Sequence, residues 1–181
     1  MQVTIMMRAA MAGAQEALGD AEDARFEASF LAEERRLFAI AMSILRDPAE
    51  AQDATQETAL IGWRRWSSLR DPASSGAWLA RICVHHCVRR KRSLLRWLSF
   101  DESVKQLRAE ADRHMQDGGR FGDIDRAYAR LSVRQRAVVS LHYHHGYTLV
   151  ECADLMGCSP GSVSQHLARA LRSLRRDLSN E

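Results

Sequence analysis

The segment from Thr148 to Leu178, TLVECADLMGCSPGSVSQHLARALRSLRRDL, constrains the fold more than any other part of the chain. It opens with a short helical pattern whose apolar residues share one side, namely Leu149, Ala153 and Met156. Gly157 can adopt the left-handed conformation that ends a helix. Ser159 is a good N-cap, and Pro160 suits the first turn of a following helix. The segment therefore predicts two helices joined by a tight glycine turn, the helix-turn-helix arrangement.

The second of these helices carries two opposed stripes. The apolar stripe comprises Val163, Leu167, Ala170 or Leu171, Leu174 and Leu178. The polar and basic stripe comprises Ser162, Gln165, Arg169, Arg172 and Arg176. A helix with small polar residues first and arginines later suits the major groove of DNA, where its start reads base edges and its arginines hold phosphates. A plain amphipathic helix within a bundle is the alternative interpretation.

The net charge of +3 is unevenly distributed along the chain. Residues 26–99 and 126–181 each carry a net charge of +4, whereas residues 1–25 carry −2 and residues 100–125 carry −3. Two basic parts joined by an acidic connector predict two contacts with one polyanion. The charge distribution by itself is also compatible with an ordinary solvated surface.

Helical periodicity also marks the first half of the chain. Residues 26–46 place apolar side chains at helical spacing, namely Phe30, Leu37, Ala41 and Ile44. Asp47 and Pro48 then interrupt the pattern as an N-cap and a first helical residue, so a second helix is expected from Pro48 to about Trp66. A third helix is expected to start near Gly76, after a loop with turn chemistry.

The second helix has an acidic stripe made of Asp47, Glu50, Asp53 and Glu57. Like charges three or four residues apart repel each other by about 0.2–0.5 kcal/mol per pair. A positively charged protein surface would relieve that repulsion, so the stripe is a candidate docking face. A solvated helix face is the alternative.

The third helix has the opposite character, with a basic stripe made of Arg81, His85, Arg89, Arg92 and Arg96. Trp78 lies on this helix, and Trp63, Trp66 and Trp97 are near it in sequence. Arginines beside aromatic rings suit melted nucleic acid, in which bases can stack and phosphates need partners. The tryptophans can instead belong to the core, which is the interpretation we favour for Trp63.

The sequence predicts an all-α fold with two small helical domains joined by an acidic linker. The stretch from Phe100 to about Asp123 is acidic, weakly periodic and punctuated by glycines. The expected divisions are an N-terminal extension that is a candidate for disorder (1–25), a first domain (26–99), a linker (100–123) and a second domain (124–181). Helices in the second domain are expected at about 124–130, 133–144, 148–156 and 160–178.

Other functional classes receive little support from the sequence. The four cysteines are too few for a disulfide scaffold and suit reduced thiols in a cytoplasmic protein. Two groups of cysteine and histidine are candidate metal ligands but lack the paired spacing of structural zinc, so no metal or cofactor is expected. They are Cys83 and Cys87 with His85 or His86, and His142, His144 and His145 with Cys152. No phosphate-binding glycine loop or catalytic grouping is evident, so neither catalysis nor a small-molecule substrate is expected.

Two stretches of the chain resemble a known family. DPAEAQDATQETALIGWRRW with WLARICVHHCVRRKR resembles region 2 of an extracytoplasmic-function (ECF) sigma factor of the sigma-70 family. LSVRQRAVVSLHYHHGYTLVECADLMGCSPGSVSQHLARALRSLR resembles region 4 of the same family. The most specific elements are Asp53, Gln56 and Glu57, together with the segment Trp78–Ile82. The resemblance spans about residues 26–99 and 124–178, without an intervening region-3 domain.

The resemblance implies a transcription initiation factor that binds core RNA polymerase, directs it to promoter DNA and helps to melt that DNA. It implies that the clamp helices of the largest polymerase subunit bind Asp47, Glu50, Asp53, Gln56 and Glu57. It implies contact with the −10 element through Trp78, Arg81, His85, Arg89 and Arg92. It implies contact with the −35 element through Ser162, Ser164, Gln165, His166, Arg169 and Arg172. Region 4 would lie near the polymerase flap, the linker would thread toward the active-site cleft, and an anti-sigma factor would be a further partner.

The chain departs from its relatives at a few of these positions. His85 stands where many carry Asn, and Arg89 where many carry an acidic residue. Ser164 and His166 stand where Lys and Arg are common, so no promoter sequence can be transferred from a relative. Two rival hypotheses remain at this point: a self-sufficient helix-turn-helix regulator that dimerises on an operator, and a stress or redox sensor that works through its cysteines.

Overall fold

The computed structural model describes residues 19–98 and 119–179, with side chains over residues 22–89 and 122–179. Within these ranges the chain forms seven α-helices and no strand, which confirms the predicted all-α class. The helices are α1 (Gly19–Leu45), α2 (Pro48–Arg65), α3 (Ser75–Leu98), α4 (Gly119–Arg130), α5 (Val133–Val139), α6 (Leu149–Met156) and α7 (Pro160–Ser179). Short 3-10 turns at Trp66–Ser68 and Pro72–Ser74 separate α2 from α3, and a π-helical turn, Ser140–His144, follows α5.

Contacts group the chain into two compact units, Met1–His86 and Cys87–Glu181. The division falls within α3. Of the predicted linker, residues 100–118 lie outside the described part of the chain. Residues 119–123 are helical and begin α4, so this helix starts earlier than its expected start at Ile124.

Helix α1 begins at Gly19 rather than at the expected Phe26, so residues 19–25 of the predicted N-terminal extension are helical. The early turns make a tertiary contact, because the indole Nε1 of Trp63 on α2 donates a hydrogen bond to Asp23 Oδ1 at 2.8 Å. Phe26 is fully buried and its ring meets Trp66 edge-on at 5.3 Å. Contacts of this kind fix the start of α1 and depend on residues distant in sequence. Residues 1–18 lie outside the described part.

The apolar stripe of α1 forms the centre of the first unit. The residues expected to face inward are all buried, namely Phe30, Leu37, Ala41 and Ile44. Burying a large apolar side chain stabilises a fold by about 1.5–3 kcal/mol. The periodicity of residues 26–46 is therefore confirmed as a core-facing pattern.

Helix α2 begins where its capping residues predict. The carboxylate of Asp47 accepts a hydrogen bond from the backbone N–H of Glu50 at 2.8 Å, and Pro48 is the first helical residue. The buried face of α2 is made of small residues, namely Ala51, Ala54, Thr55, Thr58, Ala59 and Gly62. Both threonine hydroxyls donate to backbone carbonyls one turn earlier, Thr55 to Ala51 at 2.8 Å and Thr58 to Ala54 at 2.7 Å. Because these hydroxyls are satisfied, burying them carries no unpaired-group penalty.

Gly62 gives a testable measure of how closely α2 is packed. A Cβ at this position would lie 2.9 Å from Leu79 Cδ2 and 3.1 Å from Phe26 Cε2. Gly62→Ala should therefore lower the free energy of unfolding by about 1–2 kcal/mol, because overpacking outweighs the gain of about 1 kcal/mol in helix propensity. At Gly122 a Cβ would meet nothing within 4 Å, so Gly122→Ala should instead raise the free energy of unfolding by about 0.5–1 kcal/mol. Denaturant unfolding of both variants checks the opposite signs, and a stabilising Gly62→Ala would contradict this packing.

Helix α3 is joined to α2 by a capped turn and packs back onto α1. The carboxylate of Asp71 accepts a hydrogen bond from the backbone N–H of Ala73 at 3.0 Å, at the start of the turn before α3. Leu79 is fully buried, and Cys83 Sγ lies 3.6 Å from the carbonyl oxygen of Leu37 on α1. These contacts fix the helix that carries the predicted basic stripe.

The second unit has its own core, and α7 packs against α4, α5 and α6. Fully buried apolar residues are Ala137, Val138, Leu141, Cys152, Val163 and Ala170. The sequence left open whether Ala170 or Leu171 faces inward, and the structure buries Ala170 while Leu171 is 37% exposed. Leu178, predicted on the apolar stripe, is 42% exposed because it lies near the end of α7. The predicted helix 133–144 is α-helical only to Val139 and then widens into the π-helical turn.

Candidate nucleic-acid interface

The turn between α6 and α7 is held by caps at both helices. Thr148 and Glu151 form a reciprocal capping box at the start of α6, and hydrogen bonds from Thr148 lower the pKa of the Glu151 carboxyl. Gly157 ends α6 with φ 61° and ψ 46°, a left-handed conformation that favours glycine. The hydroxyl oxygen of Ser159 accepts a hydrogen bond from the backbone N–H of Ser162 at 3.2 Å. These features fix the direction in which α7 leaves the turn, and they confirm the predicted cap and glycine turn.

The core orients α7 so that its polar stripe faces outward. Val163 and Ala170 are fully buried, whereas Ser164, Gln165, Arg169 and Arg172 are exposed and Ser162 and His166 are half-buried. The structure therefore brings all six residues of the predicted −35 contact set to one helix, with four of them exposed. Two hydroxyls already have partners, since Ser162 Oγ lies 2.9 Å from Ser159 Oγ and Ser164 Oγ donates to the carbonyl of Pro160 at 3.1 Å. Gln165 and the arginines are thus the exposed long side chains of this stripe.

His166 differs from the other residues of the predicted −35 contact set in its electrostatic environment. Partial burial lowers the pKa of its imidazole below the ordinary value, and the positive charges of Arg134 and Arg169 lower it further. Arg134 belongs to α5, so the structure adds to this surface a basic residue that the sequence analysis had not singled out. No sequence signal marks Arg134, because only the packing of α5 against α7 brings it to His166.

The acidic stripe of α2 lies on the helix face opposite its buried small residues. Asp47 and Asp53 are exposed, and Glu50, Gln56 and Glu57 are half-buried. Asp47 also serves as the N-cap of α2, so it has a structural role in addition to any binding role. The structure therefore places Glu50, Asp53, Gln56 and Glu57 on one continuous helix and Asp47 at its N-cap.

The predicted −10 residues lie on α3. Arg81 and Arg89 are exposed, His85 and Trp78 are half-buried, and the side chain of Arg92 lies outside the described part. The ring of Trp78 lies 6.3 Å from that of Trp66, which in turn contacts Phe26 in the core. Trp63 is half-buried and hydrogen-bonded, as expected for a residue that belongs to the fold. Trp78 thus connects the core to the basic stripe.

Neither the cysteines nor the histidines form a metal-binding group among the described residues. Burial raises the pKa of the Cys152 thiol to about 11, with a further contribution from the charge of Glu151. Cys83 and Cys87 are buried, and Cys158 is half-buried. His142 Nδ1 lies 2.7 Å from the carbonyl oxygen of Tyr147, so this histidine holds the turn after α5.

No helix within residues 19–98 and 119–179 has both the length and the apolar character needed to cross a membrane.

Two separate family matches define the class of protein to which this chain belongs. Residues 30–97 match the model for Sigma-70 region 2, and residues 121–174 match the model for Sigma-70, region 4. The chain thus carries a sigma-70 region 2 followed by a region 4, in the order that the sequence predicts.

Similarity to individual proteins shows which group of sigma-70 factors the chain belongs to. The chain is 31% identical over 151 residues to the ECF RNA polymerase sigma factor SigM of Mycobacterium tuberculosis, covering 83% of this chain and 76% of that protein. It is 30% identical over 143 residues to the ECF RNA polymerase sigma factor SigL of the same species, covering 77% of this chain and 80% of that protein. The chain therefore belongs to the ECF RNA polymerase sigma factors.

A solved structure supports the fold assignment. The sigma factor RpoE from Bartonella quintana, crystallised in complex with the anti-sigma factor NepR, aligns with a TM-score of 0.58 and 22% sequence identity. The alignment covers 85% of this chain and 96% of RpoE. At this identity the likeness establishes the fold.

Proposed function

We propose that this sigma factor binds core RNA polymerase through the acidic face of α2 and positions the enzyme on promoters through α3 and α7. The observation that carries the proposal is the orientation of α7, which buries Val163 and Ala170 and exposes Gln165 and Arg169. A helix held in this way after a capped turn has the form of a major-groove recognition helix.

The proposed polymerase contact is the stripe made of Asp47, Glu50, Asp53, Gln56 and Glu57. Its partner would be the clamp helices of the largest polymerase subunit, and a basic partner surface would relieve the mutual repulsion of the stripe. Asp53 is exposed, so its carboxylate is accessible to such a partner surface.

The proposed −10 contact is the face of α3 that contains Trp78, Arg81, His85, Arg89 and Arg92. Unstacking a base costs a few kcal/mol, which the capture of that base would offset without nucleotide hydrolysis. The exposed arginines would hold the phosphates of the opened strand, and the half-buried Trp78 offers an aromatic surface beside them.

The proposed −35 contact is Ser162, Ser164, Gln165, His166, Arg169 and Arg172 on α7. Gln165 is the exposed amide among them, and an amide can form a paired hydrogen bond with adenine. Arg169 and Arg172 would hold backbone phosphates, which position the helix without reading sequence.

The same proposal covers domain organisation, other partners and location. We infer region 2 over residues 26–99, a linker over 100–123 and region 4 over 124–181. Region 4 would lie near the polymerase flap, and the factor would act in the cytoplasm, where RNA polymerase works. RpoE of Bartonella quintana binds an anti-sigma factor, which supports such a partner here.

Run-off transcription with purified core polymerase on a genomic library, with sequencing of the start sites, tests this function. We expect the full chain to direct initiation at a defined promoter set.

Arg169→Ala should weaken initiation across that set and reduce the slope of log affinity against log salt by about one, because one phosphate contact is lost. Gln165→Ala should instead change base preference in the −35 element, at about 1–3 kcal/mol for the affected position.

The main alternative is a self-sufficient helix-turn-helix regulator that dimerises on an operator. It is tested by the same experiment, because such a regulator would bind DNA without polymerase and would not start RNA chains. Absence of initiation together with tight operator binding would overturn the proposed function.

A further inference from the structure

Three aromatic rings connect the start of α1 to the helix that carries the predicted −10 residues. Phe26 on α1 is fully buried, and its ring meets that of Trp66 edge-on at 5.3 Å. The ring of Trp66 lies 6.3 Å from that of Trp78 on α3, at an interplanar angle of 57°. Aromatic pairs attract each other at centroid separations of about 4.5–7 Å when the rings are tilted or edge-on. We call Phe26, Trp66 and Trp78 the aromatic triad.

A hydrogen bond joins the start of α1 to the end of α2, one turn away from the triad. Asp23 Oδ1 accepts it from the indole Nε1 of Trp63 at 2.8 Å. Asp23 is three residues before Phe26, and Trp63 is three residues before Trp66. The hydrogen bond and the ring contact therefore lie side by side, and together they fix the position from which Phe26 supports Trp66.

The supporting residues on α1 lie outside the family match. Trp66 and Trp78 belong to residues 30–97, which match the model for Sigma-70 region 2. Asp23 and Phe26 precede this range. The match therefore assigns no role to the first turns of α1, although these turns support one end of the triad.

Burial decreases along the triad from the core outward. Phe26 belongs to the core, whereas Trp66 and Trp78 are half-buried. A half-buried ring has an accessible part, and its orientation depends on what lies behind it. An aromatic surface that is held in place before binding captures a base more tightly, because less conformational entropy is lost on binding. The contact with Trp66, itself backed by Phe26, supplies this constraint for Trp78.

The backbone of α3 is held separately by the middle of α1. A Cβ at Gly76 would lie 2.7 Å from Glu33 Oε1, so this carboxylate lies against the first turn of α3. A negative charge at the start of a helix is stabilising because of the helix dipole. Leu79, one residue after Trp78, is fully buried. Loss of the triad contact should therefore free the ring of Trp78 without displacing the helix.

We propose that Asp23 and Phe26 are positioning residues for promoter opening, because they hold the ring of Trp78 in the orientation that captures an unstacked base of the −10 element. Phe26 acts through Trp66, and Asp23 acts through Trp63. Both residues thereby influence opening without contacting DNA. This role rests on the proposed function, in which Trp78 contacts the −10 element.

Promoter opening is measured with holoenzyme assembled from the full chain and core polymerase, on a promoter found by run-off transcription. Permanganate reactivity of thymines in the −10 region reports opening of the duplex, and a second template carries the same region pre-melted by mismatches. Phe26→Leu should slow opening of the duplex by about tenfold, as expected from impaired stacking of a base on one aromatic ring. At saturating holoenzyme it should start RNA from the pre-melted template within about twofold of the wild type, because no base has to be unstacked.

Phe30→Leu is the matched control, because it removes the same kind of ring from the same core. Phe30 is also buried, and its ring stacks on Phe26 at 6.0 Å, so it lies one step further from Trp78. This variant should lose a similar amount of stability in denaturant unfolding but open the duplex within about twofold of the wild-type rate. Equal slowing in both variants would show that any loss of core packing has this effect, and would overturn the proposal.

Variants at Asp23 test the hydrogen bond independently of any effect of Phe26→Leu on folding, because Asp23 is half-buried. Asp23→Asn keeps an oxygen that accepts from Trp63 Nε1, whereas Asp23→Leu is similar in size and has no acceptor. Both variants lose the same charge. Opening should stay within about twofold of the wild-type rate in Asp23→Asn and should be about fivefold slower in Asp23→Leu.

Two further results would contradict the positioning role. One is an equal opening rate in Asp23→Leu and Asp23→Asn, and the other is slow initiation by Phe26→Leu that persists on the pre-melted template. If the wild type started no RNA on any duplex, the proposed function itself would fail. Normal initiation by the wild type with unimpaired opening in all variants would refute the positioning role alone.

Discussion

Replacing Asp53 and Glu57 together with lysine is expected to weaken binding to core RNA polymerase by about a thousandfold. Juxtaposing like charges in an interface costs several kcal/mol, and about 4 kcal/mol corresponds to three powers of ten in Kd. Both residues lie on the face of α2 opposite its buried residues, so the variant should retain its fold. Titration of labelled full-length variant with core polymerase, with unfolding checked by circular dichroism, measures the effect.

A matched control comes from α1. Glu22 and Glu34 are also acidic residues outside the core, so Glu22→Lys with Glu34→Lys gives the same change in net charge. This control should bind core polymerase within about threefold of the wild type, because screening at physiological salt weakens charges that are not in the interface. Equal loss of binding in both double variants would show that bulk charge matters and that the stripe on α2 is not a specific contact.

Local chemistry made much of the fold predictable. Asp47, Gly157 and Ser159 act on their immediate neighbours, so the helix boundaries that they define could be inferred from sequence and are confirmed. The apolar periodicity of α1 likewise identified buried residues, because each turn of a helix repeats the same exposure.

Features that depend on distant residues were not predictable. The early start of α1 is accompanied by the hydrogen bond between Trp63 and Asp23, which are forty residues apart. The helix widens into a π-helical turn after Val139, and the sequence carries no simple signal for that change. Arg134 was missed for the same reason, since its place beside His166 exists only once α5 and α7 are packed.

Arg136 is a further residue whose role depends on tertiary structure. It is only 5% exposed, and its Nη1 donates hydrogen bonds to the backbone carbonyls of Leu131 at 2.6 Å and Ala129 at 3.2 Å. These carbonyls lie at the end of α4, where backbone acceptors lack partners within the helix and the helix dipole favours a positive charge. Arg136 therefore ties α5 to the end of α4 and satisfies groups that would otherwise be buried without partners.

Arg136→Met is expected to lower the free energy of unfolding of the second unit by about 3 kcal/mol. Methionine fills a similar volume but donates no hydrogen bond, and each buried acceptor left unpaired costs about 1–3 kcal/mol. For a unit of this size the midpoint of thermal unfolding should fall by about 15 °C. Three of the four tryptophans, Trp63, Trp66 and Trp78, lie in the first unit, so circular dichroism should report the loss while most of the tryptophan fluorescence stays unchanged.

Arg134→Met is the matched control, two residues away on the same helix. Arg134 is half-buried, whereas Arg136 is buried, so the replacement of Arg134 should change stability by no more than about 0.5 kcal/mol. The free energy of unfolding of Arg136→Lys should lie between those of Arg136→Met and Arg134→Met, because an ammonium keeps the charge near the end of α4 but cannot reproduce the planar guanidinium. If Arg136→Met proved as stable as Arg134→Met, the carbonyls of Ala129 and Leu131 would have to find other donors, and Arg136 would not be the group that joins α4 to α5.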